Sequence, residues 1–375
     1  MRTGLSDISI STVDVSAYTI PTDAPEGDGT LQWDSTTLIL CEIQAADQIG
    51  FGYTYGNRAT ASLADQLADK CLLHRPAVDI PALHASMLQQ VRNDGSRGIA
   101  SMAISSLDVA LWDLKSKLLS CSLVDLFGAA HASVPAYGSG GFTTYSDQQL
   151  AAQLSGWVAQ GLQSVKMKIG AEPAKDLKRV RTARDAIGPS TKLFVDANGA
   201  YDAGQAIAFA KRFEEFGVTW FEEPVSSDDL DGLRRVRDGA PDAMEVAAGE
   251  YGYDSLYFLK MLAAEAVDVL QLDATRCKGF TGFMEGAAIA AALGYPISAH
   301  CAPSLHMHVG CAVSKFRHVE YFHDHARIEE MLFDGFIPPR HGELKPDRSR
   351  PGLGLTFKHS DAEQFLTWKN EGKIA

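Results

Sequence analysis

Between positions 166 and 320 the chain places a titratable side chain at nearly even intervals: Lys166 and Lys168, Asp196, Glu222, Glu250, Asp273, His300 and Glu320. The steps run 28 residues from 168 to 196, then 26 to 222, 28 to 250, 23 to 273, 27 to 300 and 20 to 320. Each is about the length of one strand, one helix and their turns. A single carboxylate after an apolar run is ordinarily a helix cap; six consecutive units are not explained that way. Asp196, Glu222 and Glu250 end neighbouring runs, so they are expected to converge where three ionised groups cannot coexist without a cation. Oxygen ligands with no Cys or His among them predict one Mg²⁺ per chain, with positions left open for water and substrate oxygens.

Lys166 and Lys168 stand two apart, so in a strand they leave the same face and meet as like charges. That repulsion, added to the field of a metal, predicts a depressed pKa and makes Lys168 a base. Asp273 and His300 end adjacent runs, which predicts an imidazole oriented by a carboxylate as a second base. Bases on both sides of a dication suit removal of a proton beside a carboxylate, the cation holding the resulting enediolate and Lys166 offsetting its charge.

These side chains need a scaffold that brings strand ends together. Eight short apolar runs, at 134–137, 164–169, 192–196, 218–222, 245–248, 267–273, 295–300 and 318–322, are separated by amphipathic stretches at 146–160, 173–187, 202–216, 228–238, 254–264, 282–293 and 304–314. The alternation predicts a modified TIM-type (β/α)7β barrel rather than an open doubly wound sheet, since no glycine fingerprint for a dinucleotide follows the first strand. An α+β unit precedes it. Strands are expected at 8–20 and 37–44 and helices at 59–73, 80–91 and 98–119. We therefore expect a capping domain over 1–128, the barrel over 129–340, and a segment over 341–375 that packs back on the cap, with irregular chain after Phe322. The Pro-, Gly- and Asp-rich stretch 21–34 and the shorter 53–58 are expected to be loops that act as lids, with Glu26, Trp33 and Tyr55 as candidate substrate contacts alongside Asn198 and Arg276.

The 375 residues carry 34 Lys plus Arg against 47 Asp plus Glu, a net charge of −13, with 46% hydrophobic and 22% charged residues. That composition predicts a large folded core, and its acidic balance argues against nucleic acid or anionic lipid as a partner. With no signal-peptide pattern and no run of ~20 apolar residues, the chain reads as cytoplasmic and not membrane-bound. The scattered cysteines read as reduced thiols.

The motifs VKMKIG, VDANGAY, FEEP, the Gly249-Glu250 pair, LDATRCKG, ISAHCAPS and VEYF, with ASMAISSLDVALWDLKSKL before them, resemble the enolase superfamily, mandelate racemase subgroup, along essentially the whole chain. The resemblance implies that Asp196, Glu222 and Glu250 bind Mg²⁺, that Lys168 and the His300/Asp273 dyad are the two bases, and that Lys166 contacts the substrate carboxylate. It also implies that Glu320 hydrogen-bonds the developing enediolate oxygen, and that the chain forms a homo-oligomer, from dimer to octamer. The expected reaction is dehydration of a sugar acid to a 2-keto-3-deoxy acid; a racemase, epimerase or cycloisomerase would use the same residues. A Schiff-base aldolase would also need a strand-end lysine, and a non-catalytic protein on this scaffold would lack part of the set, which is complete here. Arg276-Cys277-Lys278 stands where a family glycine is common. Asp23, Glu26 and Asp28 make the lid acidic, which favours a hydroxylated monoacid or an amine-bearing acid over a diacid, with Arg58 able to offset this. His306, His308, His318, His323 and His325 lack an independently placed carboxylate set, so no second metal is expected.

Overall fold

A computed structural model describes residues 5–370 of the chain. Strands β1 (Ile10–Gly27), β2 (Gln32–Ala45) and β3 (Gln48–Tyr55) form an antiparallel sheet whose other edge is the C-terminal strand Leu366–Lys369, in the order C-terminal strand, β1, β2, β3. One face of this sheet, with Val15, Ala17, Ile39, Cys41 and Ile43, packs in one core with Leu107, Leu111 and Leu114 of the helix Ile99–Leu118. The other face, with Tyr18, Ile20, Leu38, Leu40, Phe51 and Tyr53, joins the core of the barrel. Burial on both faces explains why 38–41 reads as an unbroken apolar run.

The barrel strands are β4 (Val134–Gly140), β5 (Ser164–Lys168), β6 (Lys192–Asp196), β7 (Val218–Glu222), β8 (Glu245–Ala248), β9 (Val269–Leu272), β10 (Ile297–Ala299) and β11 (Phe316–Phe322). They pair in parallel in chain order and β11 pairs with β4, so the barrel is closed. Each falls on an apolar run read from the sequence. Tyr137, Phe194, Trp220, Ala247 and Val269 fill the interior as a buried cluster, and His318 lies against the rings of Tyr137, Phe194 and Trp220. No described helix is long and apolar enough to cross a membrane.

Three expectations are corrected. The stretch 21–34 is mostly strand: β1 continues to Gly27 and β2 begins at Gln32, with the ladder irregular only between Pro21 and Glu26. Proline removes a ladder donor there without ending the strand, because its neighbours resume pairing at Glu26 with Trp33. The stretch 53–58 is likewise the end of β3 followed by Asn57, whose side chain caps the helix Arg58–Leu67 by accepting from the Ala59 amide. After Phe322 the chain forms a helix, His323–Leu332, too short and too polar at its start to show an apolar period.

The stretch 21–34 is thus a β-hairpin whose tip lies against the barrel. Asp28 Oδ1 accepts from the amides of Thr30 and Leu31 at 2.6 and 2.7 Å, and Thr143 holds the carbonyls of Gly27 and Asp28 at 2.8 Å each. Gly29 sits so close that an added Cβ would lie 2.2 Å from the Ala197 carbonyl oxygen. Gly29→Val is therefore expected to unseat the hairpin while changing global stability by no more than about 1 kcal/mol. Limited proteolysis should show faster cleavage within 21–34 at an unchanged unfolding midpoint; unchanged cleavage would show that the tip contact does not hold the hairpin.

Candidate active site

Barrel register brings the strand-end groups together. Lys168 pairs across β5 and β6 with Asp196, and Asp196 across β6 and β7 with Glu222. Glu250 follows β8 after Gly249, which has a φ of 135° and where an added Cβ would lie 2.3 Å from the Gln271 carbonyl oxygen, so there is no room for a side chain. One carboxylate oxygen from each of Asp196, Glu222 and Glu250 lies within 4.8 Å of the others, all three residues buried. Lys166 is fully buried among them, bonded to Glu222, 2.7 Å from Glu320 Oε1 and 3.4 Å from Asp196 Oδ2. Lys168 Nζ is 2.5 Å from Asp196 Oδ2. Trp220 Nε1 donates to Glu222 Oε2 at 2.9 Å and Ser139 Oγ to Glu320 Oε1 at 2.5 Å. Glu250 Oε2 is buried with no hydrogen-bond donor. Three converging carboxylates, one with an oxygen unsatisfied, fit a hard dication.

On the other flank, His300 Nδ1 is 2.8 Å from Asp273 Oδ2, while Asp273 Oδ1 takes the amide and hydroxyl of Thr275 at 2.7 Å each. His300 Nε2 faces Glu250 Oε2 at 3.3 Å and the Cys301 thiol at 3.2 Å. His306 braces this turn from behind, bonded through one ring nitrogen to the Cys301 carbonyl at 2.7 Å and through the other to the Ala274 amide at 2.8 Å.

Burial alone would depress both lysines, but the carboxylates outweigh it. Glu222, Glu320 and Asp196 hold the Lys166 ammonium well above its ordinary range, and Asp196 raises Lys168. Among the protein's own charges the repulsion by Lys166 is outweighed, because the charge nearest to Lys168 is a carboxylate and not the second lysine. Glu320 is held well below the carboxylate range by Lys166 against its burial. Burial would lower His300; Glu250 and Asp273 raise it. Asp273 is depressed in spite of burial by its hydrogen bond to His300.

A cavity of about 360 Å³ opens above these groups, bounded by Lys168, Asn198, Glu250, Arg276, His300 and Cys301 below and by Asp28, Trp33, Ser35, Thr36, Thr37 and Tyr55 from the cap. Asn198 presents a buried side-chain oxygen without a partner, and its own amide holds Asp196 Oδ1 at 2.9 Å. Arg276 is 3.1 Å from Glu250 Oε1; its neighbours Cys277 and Lys278 are buried outside the cavity wall. Glu26 does not line the cavity: it is fully buried behind Trp33, whose Nε1 donates to Glu26 Oε2 at 2.8 Å. Cys301 and His325, which stacks on Tyr55 at 3.5 Å between ring centroids, join the wall without having been assigned to it. Cys301 lies within the ISAHCAPS motif, and Trp220 stands two residues before Glu222 on β7 and so shares its face, whereas nothing local marks Ser139.

Residues 149–362 match the model of the enolase C-terminal domain-like family, and residues 28–128 that of the mandelate racemase/muconate lactonizing enzyme N-terminal domain. The chain belongs to the mandelate racemase/muconate lactonizing enzyme family. Among its family relatives, a D-galactarolactone cycloisomerase from Agrobacterium fabrum is 32% identical over 283 residues, 74% of each chain. A mandelate racemase/muconate lactonizing enzyme-like protein from Rubrobacter xylanophilus superposes with a TM-score of 0.93 at 48% identity, covering 96% of this chain and 100% of its own. An L-talarate dehydratase from Polaromonas sp. JS666, solved with Mg and L-glucarate, gives 0.88 at 29% identity, covering 98% and 100%.

The family site suggests a test of its dyad. A carboxylate with a depressed folded pKa stabilises the fold above its unfolded value, about 3.9, and loses that contribution as pH falls toward the folded value. The stability gap between wild type and Asp273→Asn, from urea unfolding, should be widest near neutral pH and narrow below about pH 4. A gap independent of pH would show that Asp273 is not held ionised by His300.

Proposed function

We propose that the chain removes the α-proton of a polyhydroxylated carboxylic acid and expels the β-hydroxyl, acting as a sugar-acid dehydratase. The observation that carries this reading is the placement of Lys168 on β5 and of the His300/Asp273 dyad after β10 and β9, flanking the three carboxylates that end β6, β7 and follow β8. Asp196, Glu222 and Glu250 would hold one Mg²⁺, which supplies Lewis-acid stabilisation of the charge that develops on the substrate carboxylate. With the charge of Asp196 shared in this way, the proton on Lys168 is held less tightly and the amine returns toward the range of a base. Lys168 takes the α-proton, and Lys166, positioned by Glu320, neutralises the carboxylate side of the enediolate. His300, whose proton affinity Glu250 and Asp273 increase, donates to the β-hydroxyl; the C–O bond breaks, water leaves, and the enol becomes a 2-keto-3-deoxy acid.

Of the cap residues on the cavity wall, Ser35 donates its hydroxyl to Asp34 and Thr37 shares its own with Thr19, so the support for a polyol substrate comes from Thr36 and from the unpartnered side-chain oxygen of Asn198. The acidic lid is a weaker argument against a diacid than its composition suggested: Glu26 is behind the wall and Asp23 faces His323. We further propose a cytoplasmic homo-oligomer; the six cysteines, all free and five of them buried, support a reducing compartment.

The test is a library of aldonic and aldaric acids with semicarbazide detection of the keto product, run alongside α-hydrogen exchange into D₂O. Product should form, disappear with EDTA and return with Mg²⁺, and fall by on the order of 10²–10⁴-fold in Lys168→Ala or His300→Asn. Exchange with no keto product would point to a racemase, or to a cycloisomerase such as the Agrobacterium relative. Full turnover in EDTA, or inactivation by borohydride trapping, would overturn the reading.

A further inference from the structure

The lid hairpin meets the barrel at a second charged cluster, apart from the cavity. Near the tip of β1, Asp23 and Glu26 face the first turn of the helix His323–Leu332, and one carboxylate oxygen of each, with one ring nitrogen of His323, lie within 4.8 Å of one another. His323 Nε2 is 2.9 Å from Asp23 Oδ2, a contact that spans 300 residues of sequence. Glu26 is fully buried, and only Oε2 is satisfied, by Trp33; Oε1 has no partner. The next residue in the helix, Asp324, repeats the pattern: Oδ1 takes Arg327 at 2.6 and 3.2 Å, and the buried Oδ2 has none.

Two buried carboxylate oxygens left without donors are costly, each on the order of 1–3 kcal/mol or more. Burial first, and then the charge of Asp324, pushes the Glu26 carboxyl up to about 8. Arg327 is the cation facing them, and its guanidinium reaches Asp324 and the Pro21 carbonyl. The cluster is therefore short of positive charge at a place where strand and helix must stay together.

We propose that Asp23, Glu26 and His323 bind a divalent transition ion of the Zn²⁺ class, which clamps the lid hairpin to the barrel. An imidazole beside two carboxylates is a donor set for Zn²⁺, whereas Mg²⁺ selects all-oxygen sites such as the catalytic trio. Glu26 forms the floor of the site. Asp23 and His323, with 48% and 24% of their side-chain surface exposed, give the ion a route from solvent. Neither residue belongs to the proton-transfer machinery, so the site stands whatever reaction the trio supports.

The test equilibrates the tag-free full chain with excess Mg²⁺ and micromolar Zn²⁺, removes free metal, and counts Zn²⁺ per chain. One ion is expected in wild type and almost none in His323→Ala or Asp23→Asn, both partly exposed positions that should fold. Glu250→Gln and Cys301→Ser, which alter the catalytic cavity, should keep their Zn²⁺. Zn²⁺ should also slow proteolysis within 21–34 in wild type and leave His323→Ala unaffected. Absence of retained Zn²⁺ in wild type, equal retention in His323→Ala, or loss in Glu250→Gln or Cys301→Ser would each overturn the proposal.

Discussion

Asp196, Glu222, Glu250 and Glu320 share the mouth of this barrel with the ammonium groups of Lys166 and Lys168, nearly all of them out of contact with water. Ionised groups in such a medium are tolerated only when each finds a partner of opposite sign within a few ångströms. Lys166 meets that requirement for three of them at once, touching Glu222, Glu320 and Asp196, while Lys168 serves Asp196 alone. Glu250 is the member that neither lysine reaches; it leans on Arg276, and its other oxygen faces His300 Nε2 at 3.3 Å without a hydrogen bond. Every other feature of the site follows from keeping this cluster together.

The barrel does so by making the cluster a consequence of strand pairing. Parallel register sets Lys168, Asp196 and Glu222 side by side on three consecutive strands, and the packed rings of Tyr137, Phe194 and Trp220 form the floor beneath them. Where the chain must turn sharply to aim a group inward, the backbone is strained. Asn198, Glu223, Cys301 and Ala302 all adopt positive φ, a cost of about 1–3 kcal/mol each that only a well-packed surround sustains. Cys301 shows what the strain achieves: its amide reaches Glu320 Oε2 at 2.9 Å and its carbonyl holds His306, so the turn after β10 fixes His300 and Glu320 together.

The cap contributes the opposite wall. Its sheet buries one face in its own helical layer and the other in the barrel core, so the hairpin that carries Trp33 is an extension of a rigid element rather than a free flap. Glu26 illustrates the consequence. Its side chain turns away from the cavity to hold the Trp33 indole, and in doing so leaves an unsatisfied oxygen at the seam between hairpin and barrel.

The order of chemical groups along the barrel was legible in the sequence because most of them end or directly follow an apolar run, with Lys166 and Glu320 two residues short of the ends of theirs, and a closed parallel barrel gathers such ends at one mouth. Lys166 to Glu320 needed no tertiary information beyond that rule. What the letters could not contain was distance across the chain. The pairing of Asp23 with His323, the turning of Glu26 behind Trp33, and the bond from Ser139 to Glu320 all join positions with no local period or spacing to relate them. The partner of Lys168 was hidden for the same reason: sequence shows that two lysines are neighbours, but only three-dimensional packing shows that the carboxylate of Asp196 lies against one of them. Proximity along a strand is a covalent fact, whereas the balance of charge at a point is a sum over everything the fold brings there.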